Sequence, residues 1–168
     1  MSIQLGDRLP EGVISEFVES PTEGCALGPN VHPVQNLLKG KRVVIFGVPG
    51  AFTPTCSEQH LPGYVENYSK FRAKGIDEIW CFAVNDFFVM AAWGKANGAA
   101  GKVRMMADGS AIYTKMLGLA LDLTEKGLGV RCRRFSMLVE DGVVRRLNLE
   151  DGGKLEVSSA QVMLKELD

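Results

Sequence analysis

A single cysteine follows an apolar run that ends in Pro49-Gly50. Residues 43–48 predict a buried strand, and a helix is expected to begin around Cys56. A thiol at a helix N-terminus faces unpaired backbone N–H groups and the positive end of the helix dipole, and both favour the thiolate. Thr53 stands where the first cysteine of a Cys-x-x-Cys dithiol would be. The motif therefore predicts one nucleophilic sulfur, with a hydroxyl close by.

Other residues of chemical interest carry weaker signals. His60 shares a helix face with Cys56, where it could assist proton transfer, lie behind the site or face the solvent. A zinc site built from Cys56, His60, Cys81 and Cys132 lacks paired ligand spacing, so neither a metal nor any other cofactor is expected. Five arginines could suggest a basic patch, but one site arginine and a solvated hairpin face fit them better: Arg131, Arg133, Arg134, Arg145 and Arg146.

The composition is that of one globular domain. The chain has 168 residues and a net charge of −1, so residues 1–168 are expected to form a single domain without affinity for nucleic acid or anionic membranes. Residues 1–8 lack an apolar signal segment, and no stretch approaches the roughly 20 apolar residues of a membrane span. The four cysteines are too scattered for a secreted disulfide scaffold, which favours a reducing cytoplasm.

The apolar pattern alternates between strands and helices. Pro62 is expected to kink the helix after Cys56, and Gly75 to end it. Asp86 is a predicted N-cap, and Asp141-Gly142 predicts a hairpin. The predicted strands are 13–18, 42–48, 78–84, 103–106, 131–140 and 143–149, the predicted helices are 34–38, 57–73, 87–97, 110–117 and 160–167, and residues 21–33 are predicted as a connection.

This order of elements predicts the fold class. A strand, a helix and a strand joined by a right-handed crossover, with a late β-hairpin and a terminal helix, are typical of a thioredoxin-like α/β fold. We therefore expect a central mixed sheet flanked by helices. The chain shows no internal repeat or linker that would divide it.

The segment around Cys56 resembles the signature of the peroxiredoxins. Pro49-x-x-x-Thr53-x-x-Cys56 matches that signature, and residues 49–57 resemble the Prx5 or type II branch. The similarity covers nearly all of the chain, through Cys81-Phe82-Ala83-Val84-Asn85-Asp86, Ala107-Asp108-Gly109-Ser110 and Arg133-Arg134-Phe135-Ser136-Met137. It implies a thiol-dependent peroxidase that reduces hydrogen peroxide and alkyl hydroperoxides, with the cysteine cycling through a sulfenic acid.

The resemblance implies a role for each of four residues. Cys56 supplies the attacking thiolate, and Pro49 shields the sulfur from water and shapes the pocket. Thr53 contributes its hydroxyl, and Arg134 donates from its guanidinium to both sulfur and peroxide. Strand alternation sends the adjacent Arg133 and Arg134 to opposite faces without saying which one faces the site, and the resemblance selects Arg134.

The resemblance leaves the reduction of oxidised Cys56 open. Human-type Prx5 carries its resolving cysteine in the segment that corresponds to residues 155–158, where this chain has none. Plant-type members carry one on the strand after the catalytic helix, which makes Cys81 a possible resolving thiol. Cys81 is expected to be buried, so a disulfide would require local unwinding at Cys56. The alternative is direct reduction by an external thiol, either glutathione with glutaredoxin or thioredoxin. Thiol exchange requires access to the sulfur, and we expect a helix N-terminus to expose Cys56 at the surface. Cys25 and Cys132 are expected to be structural or incidental.

One departure from the family concerns Phe87, which stands where a proline usually follows Val-Asn-Asp. Relatives are commonly dimers that pack near the Phe52 loop and the helix of residues 86–93, so a homodimer is expected. Two other classes stay open, a thioredoxin-like binding or redox-sensing module and an oxidoreductase for protein disulfides. The first would need neither Thr53 nor Arg134, and the missing Cys-x-x-Cys disfavours the second.

Overall fold

The computed structural model describes residues 1–19 and 25–167. The strands are β1 (Val13–Val18), β2 (Gly28–Pro33), β3 (Arg42–Gly47), β4 (Glu78–Ala83), β5 (Arg104–Ala107), β6 (Ala120–Leu123), β7 (Gly129–Cys132), β8 (Phe135–Glu140) and β9 (Val143–Leu149). The α-helices are α1 (Val34–Leu38), α2 (Leu61–Glu66), α3 (Tyr68–Ala73), α4 (Phe87–Ala96), α5 (Ile112–Leu117) and α6 (Ala160–Glu166). A π-helical turn spans Cys56–His60, and a 3₁₀ turn spans Thr124–Lys126. None of the helices in the described ranges is both long and apolar enough to cross a membrane.

Seven strands form one mixed sheet in the order β2-β1-β5-β4-β3-β8-β9. The central strands β3, β4 and β5 run parallel, whereas β1 and β8 join them antiparallel. β3 and β4 are buried along nearly their whole length, as expected for continuous apolar strands covered on both faces. The expected thioredoxin-like α/β fold is confirmed.

The two faces of the sheet carry separate hydrophobic clusters. One contains Cys56 and Cys81 together with residues of α2 and α4, such as Tyr64 and Trp93. The other contains Cys132, with residues of β8 and α5. The helix that begins at Cys56 therefore packs on the same face as the buried thiol of β4.

Apart from the helix after Cys56, two predicted elements differ from the structure. The predicted strand 131–140 is divided into β7 and β8, because β7 pairs with β6 in a separate two-stranded sheet. Arg133 and Arg134 lie in the break, so alternation along one strand does not apply to them. The predicted connection 21–33 contains β2, which pairs with β1, and its residues 21–24 lie outside the described residues.

Candidate active site

The loop between β3 and the first helical turn is fastened to the end of β4. The backbone N–H of Val48 donates to the Phe82 carbonyl at 3.0 Å. The N–H of Ala51 donates to the Asn85 side-chain oxygen at 2.9 Å. These bonds fix where the chain turns back over the sheet, and hence where Cys56 lies.

The predicted helix 57–73 is divided into three pieces. Cys56–His60 is a π-helical turn, α2 and α3 follow it, and Asn67 separates these two helices. The N–H of Leu61 donates to the Cys56 carbonyl, the five-residue spacing of a π turn. Pro62 has no N–H to donate and follows directly as the second residue of α2. Because π turns recur at functional sites, this irregularity also marks the region of Cys56.

Arg134 places its charge against the sulfur of Cys56. Its Nη2 donates to Cys56 Sγ at 3.1 Å. Cys56 is 0% exposed and Arg134 is 3% exposed, so the contact is shielded from water. The guanidinium thus holds a fixed positive charge and a charged donor against the sulfur. Arg133 instead donates to the Glu150 carbonyl at 3.2 Å, so the structure brings Arg134 to the sulfur.

One donor of Arg134 has no partner. Within the described part of the chain, its buried Nε is left without a hydrogen bond. Nε and Nη2 lie on the same edge of the guanidinium, and Nη2 is the atom that bonds Cys56. A buried orphan donor is costly unless something occupies it. This edge can therefore hold the sulfur and one further acceptor atom.

Thr53 and Pro49 lie in the loop before the π turn. The Thr53 hydroxyl donates to the Gly50 carbonyl at 2.7 Å, which leaves its oxygen as an acceptor for another group. A side chain at Gly50 would require Arg131 to move, since an added Cβ would lie 2.7 Å from Arg131 Nη1 and 3.2 Å from Thr53 Cγ2. The same Arg131 nitrogen donates to the carbonyl of half-buried Pro49 at 3.4 Å. Arg131 had no sequence signal that set it apart from the other arginines.

His60 lies behind Arg134, away from the sulfur. Its Nδ1 is 2.9 Å from Arg134 Nη1, and its Nε2 is 3.0 Å from the Ser158 carbonyl. Burial and the charge of Arg134 lower the pKa of His60 from 6.5 to about 3, against a smaller opposing effect of the Ser158 carbonyl. The ring is therefore neutral near pH 7. Of the three interpretations open from sequence, the geometry favours the one that places His60 behind the site, and its 1% exposure excludes a surface position.

Aromatic residues surround the outer side of the site. Trp93 donates from its indole nitrogen to Ser57 Oγ at 2.9 Å, which ties α4 to the π turn. Phe52 is 57% exposed, with its ring centroid 6.5 Å from that of Trp93. Phe87 begins α4 and stacks on Phe17 at 6.3 Å. The residue that departs from the family pattern thus packs against β1.

The two cysteines of this face are both buried. Cys81 is 0% exposed in the middle of β4, and burial, with smaller contributions from Cys56 and Cys132, raises its pKa well above 9.0. The expectation that a helix N-terminus exposes the sulfur at the surface is wrong, because Cys56 is also 0% exposed. Neither sulfur is therefore in contact with solvent in this structure.

One group of potential metal ligands lies elsewhere. Within residues 1–19 and 25–167, ligand atoms of Glu16, Cys25 and His32 approach one another within 4.8 Å. Both carboxylate oxygens of Glu16 already accept from Arg104, at 2.7 and 3.1 Å, and His32 Nε2 lies 3.2 Å from one of them. The ion pairs account for this cluster. Glu16 and His32 lie on β1 and β2, which β5 and β4 separate from β3 in the sheet.

Comparisons with known proteins agree with one another. Residues 4–164 match the Redoxin family. The chain is 52% identical to Peroxiredoxin-2B of Arabidopsis thaliana over 165 residues, which cover 98% of each chain. It superposes on reduced Prx3 of Vibrio vulnificus in complex with hydrogen peroxide with a TM-score of 0.90, at 45% identity and 99% coverage of both chains. It superposes on peroxiredoxin 5 of Alvinella pompejana with a TM-score of 0.84, at 33% identity and coverage of 98% of this chain and 97% of the other.

Proposed function

Since this chain belongs to the peroxiredoxins, in their Prx5 or type II branch, and is therefore a thiol-dependent peroxidase, we propose that Cys56 is the sulfur that reduces the peroxide. One observation carries the proposal. The Cys56 sulfur lies at the start of a π turn, 3.1 Å from a buried guanidinium donor. No other cysteine in the described ranges has an arginine donor bonded to its sulfur.

The reaction is an in-line displacement at oxygen. The Cys56 thiolate attacks the terminal peroxide oxygen, an S–O bond forms, and the O–O bond breaks. The leaving hydroxide or alkoxide takes a proton from solvent. Sulfur is oxidised to a sulfenic acid as the peroxide is reduced to water or an alcohol. Hydrogen peroxide and alkyl hydroperoxides are the proposed substrates, and the hydrogen peroxide complex of the Vibrio vulnificus relative supports the first.

Three neighbouring residues support this displacement. Arg134 holds the sulfur through Nη2, and its unpartnered Nε is the donor proposed for the peroxide oxygen. The Thr53 oxygen, whose proton is committed to Gly50, is the acceptor proposed for the O–H of the peroxide. Pro49, whose carbonyl accepts from Arg131, is proposed to cover the site and limit the entry of water. Together these groups orient the peroxide and stabilise the charge that develops across its O–O bond.

Recycling is proposed to depend on an external thiol. The sulfenic acid of Cys56 condenses with glutathione, which forms a mixed disulfide and releases water, and glutaredoxin then removes the glutathione. Thioredoxin is the alternative reductant. The buried, high-pKa thiol of Cys81 supports both over an internal disulfide, because a protonated thiol is a poor nucleophile.

We also propose a homodimer in the cytoplasm. The exposed rings of Phe52 and Phe88, 57% and 61% accessible, border the Cys56 loop and α4 and form the proposed contact surface. The double variant Phe52→Ser, Phe88→Ser should elute as a monomer in size-exclusion chromatography with light scattering. The control Ile112→Ser removes an equally exposed residue from α5 and should leave the assembly intact.

The proposed location in the cytoplasm rests on the cysteines. All four cysteines are free thiols, which suits a reducing compartment.

A coupled peroxide-consumption assay tests the proposal. The wild-type protein is compared with Cys56→Ser, first with glutathione plus glutaredoxin and then with thioredoxin. Serine has nearly the same shape as cysteine but is hardly ionised, so turnover should vanish while the fold remains. The same assay decides between the two reductants. A serine variant that consumes peroxide at the wild-type rate would contradict the assignment of Cys56.

A further inference from the structure

A continuous series of buried hydrogen bonds runs from the reactive sulfur to the turn after β9. Arg134 bonds Cys56 through Nη2 and His60 through Nη1. His60 bonds the Ser158 carbonyl, and Ser158 is bonded in turn by Glu150. Each of these residues is at most 3% exposed. Because none of these groups can exchange its partner for bulk water, the position of each one depends on the position of the next.

The two bonds of His60 define a single state of its ring. Arg134 Nη1 can only donate, so Nδ1 of the imidazole must carry the lone pair. The Ser158 carbonyl can only accept, so Nε2 must carry the proton. The neutral ring with its proton on Nε2 satisfies both neighbours. A protonated ring, or the other tautomer, would place an N–H against the guanidinium.

Glu150 fixes the carbonyl that selects this tautomer. One carboxylate oxygen, Oε2, accepts from the backbone N–H groups of Glu156, Val157 and Ser158 at 2.8–2.9 Å, and from the Ser158 hydroxyl at 2.6 Å. Glu150 is 2% exposed, and its own N–H donates to the Arg134 carbonyl at 3.0 Å. Glu150 therefore bonds both the turn that holds His60 and the backbone of Arg134.

We propose that His60 and Glu150 are positioning residues for the peroxidase reaction. His60 holds the guanidinium of Arg134 so that the edge carrying Nη2 and Nε faces the sulfur. Glu150 holds the Ser158 carbonyl so that His60 presents a lone pair to Arg134. Neither residue touches the sulfur. This inference rests on the proposed role of Cys56. It adds which residues hold Arg134 in the orientation that bonds the sulfur.

Two substitutions of His60 separate its two bonds. Asparagine places its side-chain oxygen where Nδ1 lies, so His60→Asn can still accept from Arg134. Glutamine places its amide nitrogen near Nε2, so His60→Gln keeps the bond to Ser158 but loses the acceptor for Arg134. We expect His60→Asn to react with hydrogen peroxide within about threefold of the wild-type rate, and His60→Gln to be slower by about tenfold or more. The thiolate absorbance at neutral pH should fall in the glutamine variant only.

Tyr64→Phe is the matched control. The Tyr64 hydroxyl donates to the same Ser158 carbonyl at 2.8 Å but does not touch Arg134. Its loss should lower the unfolding temperature without changing the rate or the thiolate absorbance. Equal rates for His60→Asn and His60→Gln, or an equal loss in Tyr64→Phe, would overturn the role of His60. The proposed function would fail on a different result, namely that Cys56→Ser consumes peroxide at the wild-type rate. The two failures are therefore distinct.

A double-mutant cycle tests Glu150. Glu150→Gln should slow the reaction in the wild-type background and cause no further loss in His60→Leu, because both changes release the same guanidinium. Additive losses would show that Glu150 acts independently. If Glu150→Gln does not fold, the imidazole ¹⁵N shifts of the wild-type protein still test the series. They should show the proton on Nε2 from pH 5 to 8, and a proton on Nδ1 would overturn it.

Discussion

Cys81→Ser removes the possible resolving thiol from β4. Cys81 is 0% exposed and is paired with strand neighbours on both sides, Phe46 of β3 and Met105 of β5. Burial raises its pKa well above 9.0. With its pKa raised in this way, the Cys81 thiol stays protonated near neutral pH. Because the thiolate is the attacking species, Cys81 should contribute little to reducing the sulfenic acid.

The expected result is that Cys81→Ser keeps more than about half of its turnover with glutathione and glutaredoxin. Cys132→Ser is the matched control, since Cys132 is also 0% exposed but lies in the cluster on the opposite face of the sheet. Cys81→Ser buries a hydroxyl in apolar surroundings, which costs roughly 1–3 kcal/mol of stability. The hydroxyl of Cys132→Ser can donate to the Arg133 carbonyl, which Cys132 Sγ contacts at 3.2 Å, so its cost should be smaller. Unfolding curves for both variants therefore accompany the turnover measurements. Mass spectrometry after peroxide and glutathione should show the adduct on Cys56.

One combination of results would refute this reasoning. Turnover lost in Cys81→Ser but kept in Cys132→Ser, with a Cys56–Cys81 disulfide after oxidation, would make Cys81 the resolving residue. It would also mean that the π turn unwinds far enough for Cys56 to reach Cys81, because the pairing of β4 with β3 and β5 holds Cys81 in place.

Three further predictions concern the surroundings of the sulfur. Arg134→Ala removes a charged donor and should slow the reaction with hydrogen peroxide by roughly ten- to a hundredfold in stopped-flow measurements. Arg133→Ala should change this rate by less than about threefold. The reverse order would contradict the assignment of Arg134 as the site arginine. Thr53→Val should lose about tenfold in the same assay and Thr53→Ser should recover most of it, which a purely steric role of Thr53 would not produce. Burial lowers the pKa of His60 from 6.5 to about 3. Between these two pH values the unfolded chain binds a proton at His60 that the folded chain does not bind. Stability is therefore full above about pH 6.5 and falls as the pH drops towards 3, by about 2 kcal/mol at pH 5. Urea unfolding should show this loss in the wild type and not in His60→Asn, and parallel losses would exclude His60 as its source.

Local sequence patterns were enough to predict most of the central sheet. The continuous apolar runs predicted β3 and β4 to within one residue, because strands buried on both faces leave a strong local signal. The turn Asp141-Gly142 was predicted for the same kind of reason, and both residues have the positive φ of a tight hairpin turn, 47° and 82°. The break between β7 and β8 was missed, because it depends on which partner each strand pairs with. The π turn was missed because its spacing follows from packing around Pro62.

The site was predictable as a motif but not as a network. The resemblance named Cys56, Thr53, Pro49 and Arg134, and the structure brings Arg134 to the sulfur. Only the resemblance to the family selected Arg134 as the site arginine, since no local sequence pattern separates it from Arg133. The bonds of His60 join residues far apart in the chain, so no spacing rule could reveal them. The full burial of Cys56 is likewise a property of the packed fold.

The most direct test of the central claim is the mass of the protein after one equivalent of hydrogen peroxide. In the presence of a sulfenic acid trap such as dimedone, the wild-type chain should carry one adduct, located on Cys56. Cys56→Ser should carry none, and Arg134→Ala should acquire its adduct more slowly. An adduct on Cys25, Cys81 or Cys132 at the wild-type rate, with Cys56 unmodified, would contradict the account.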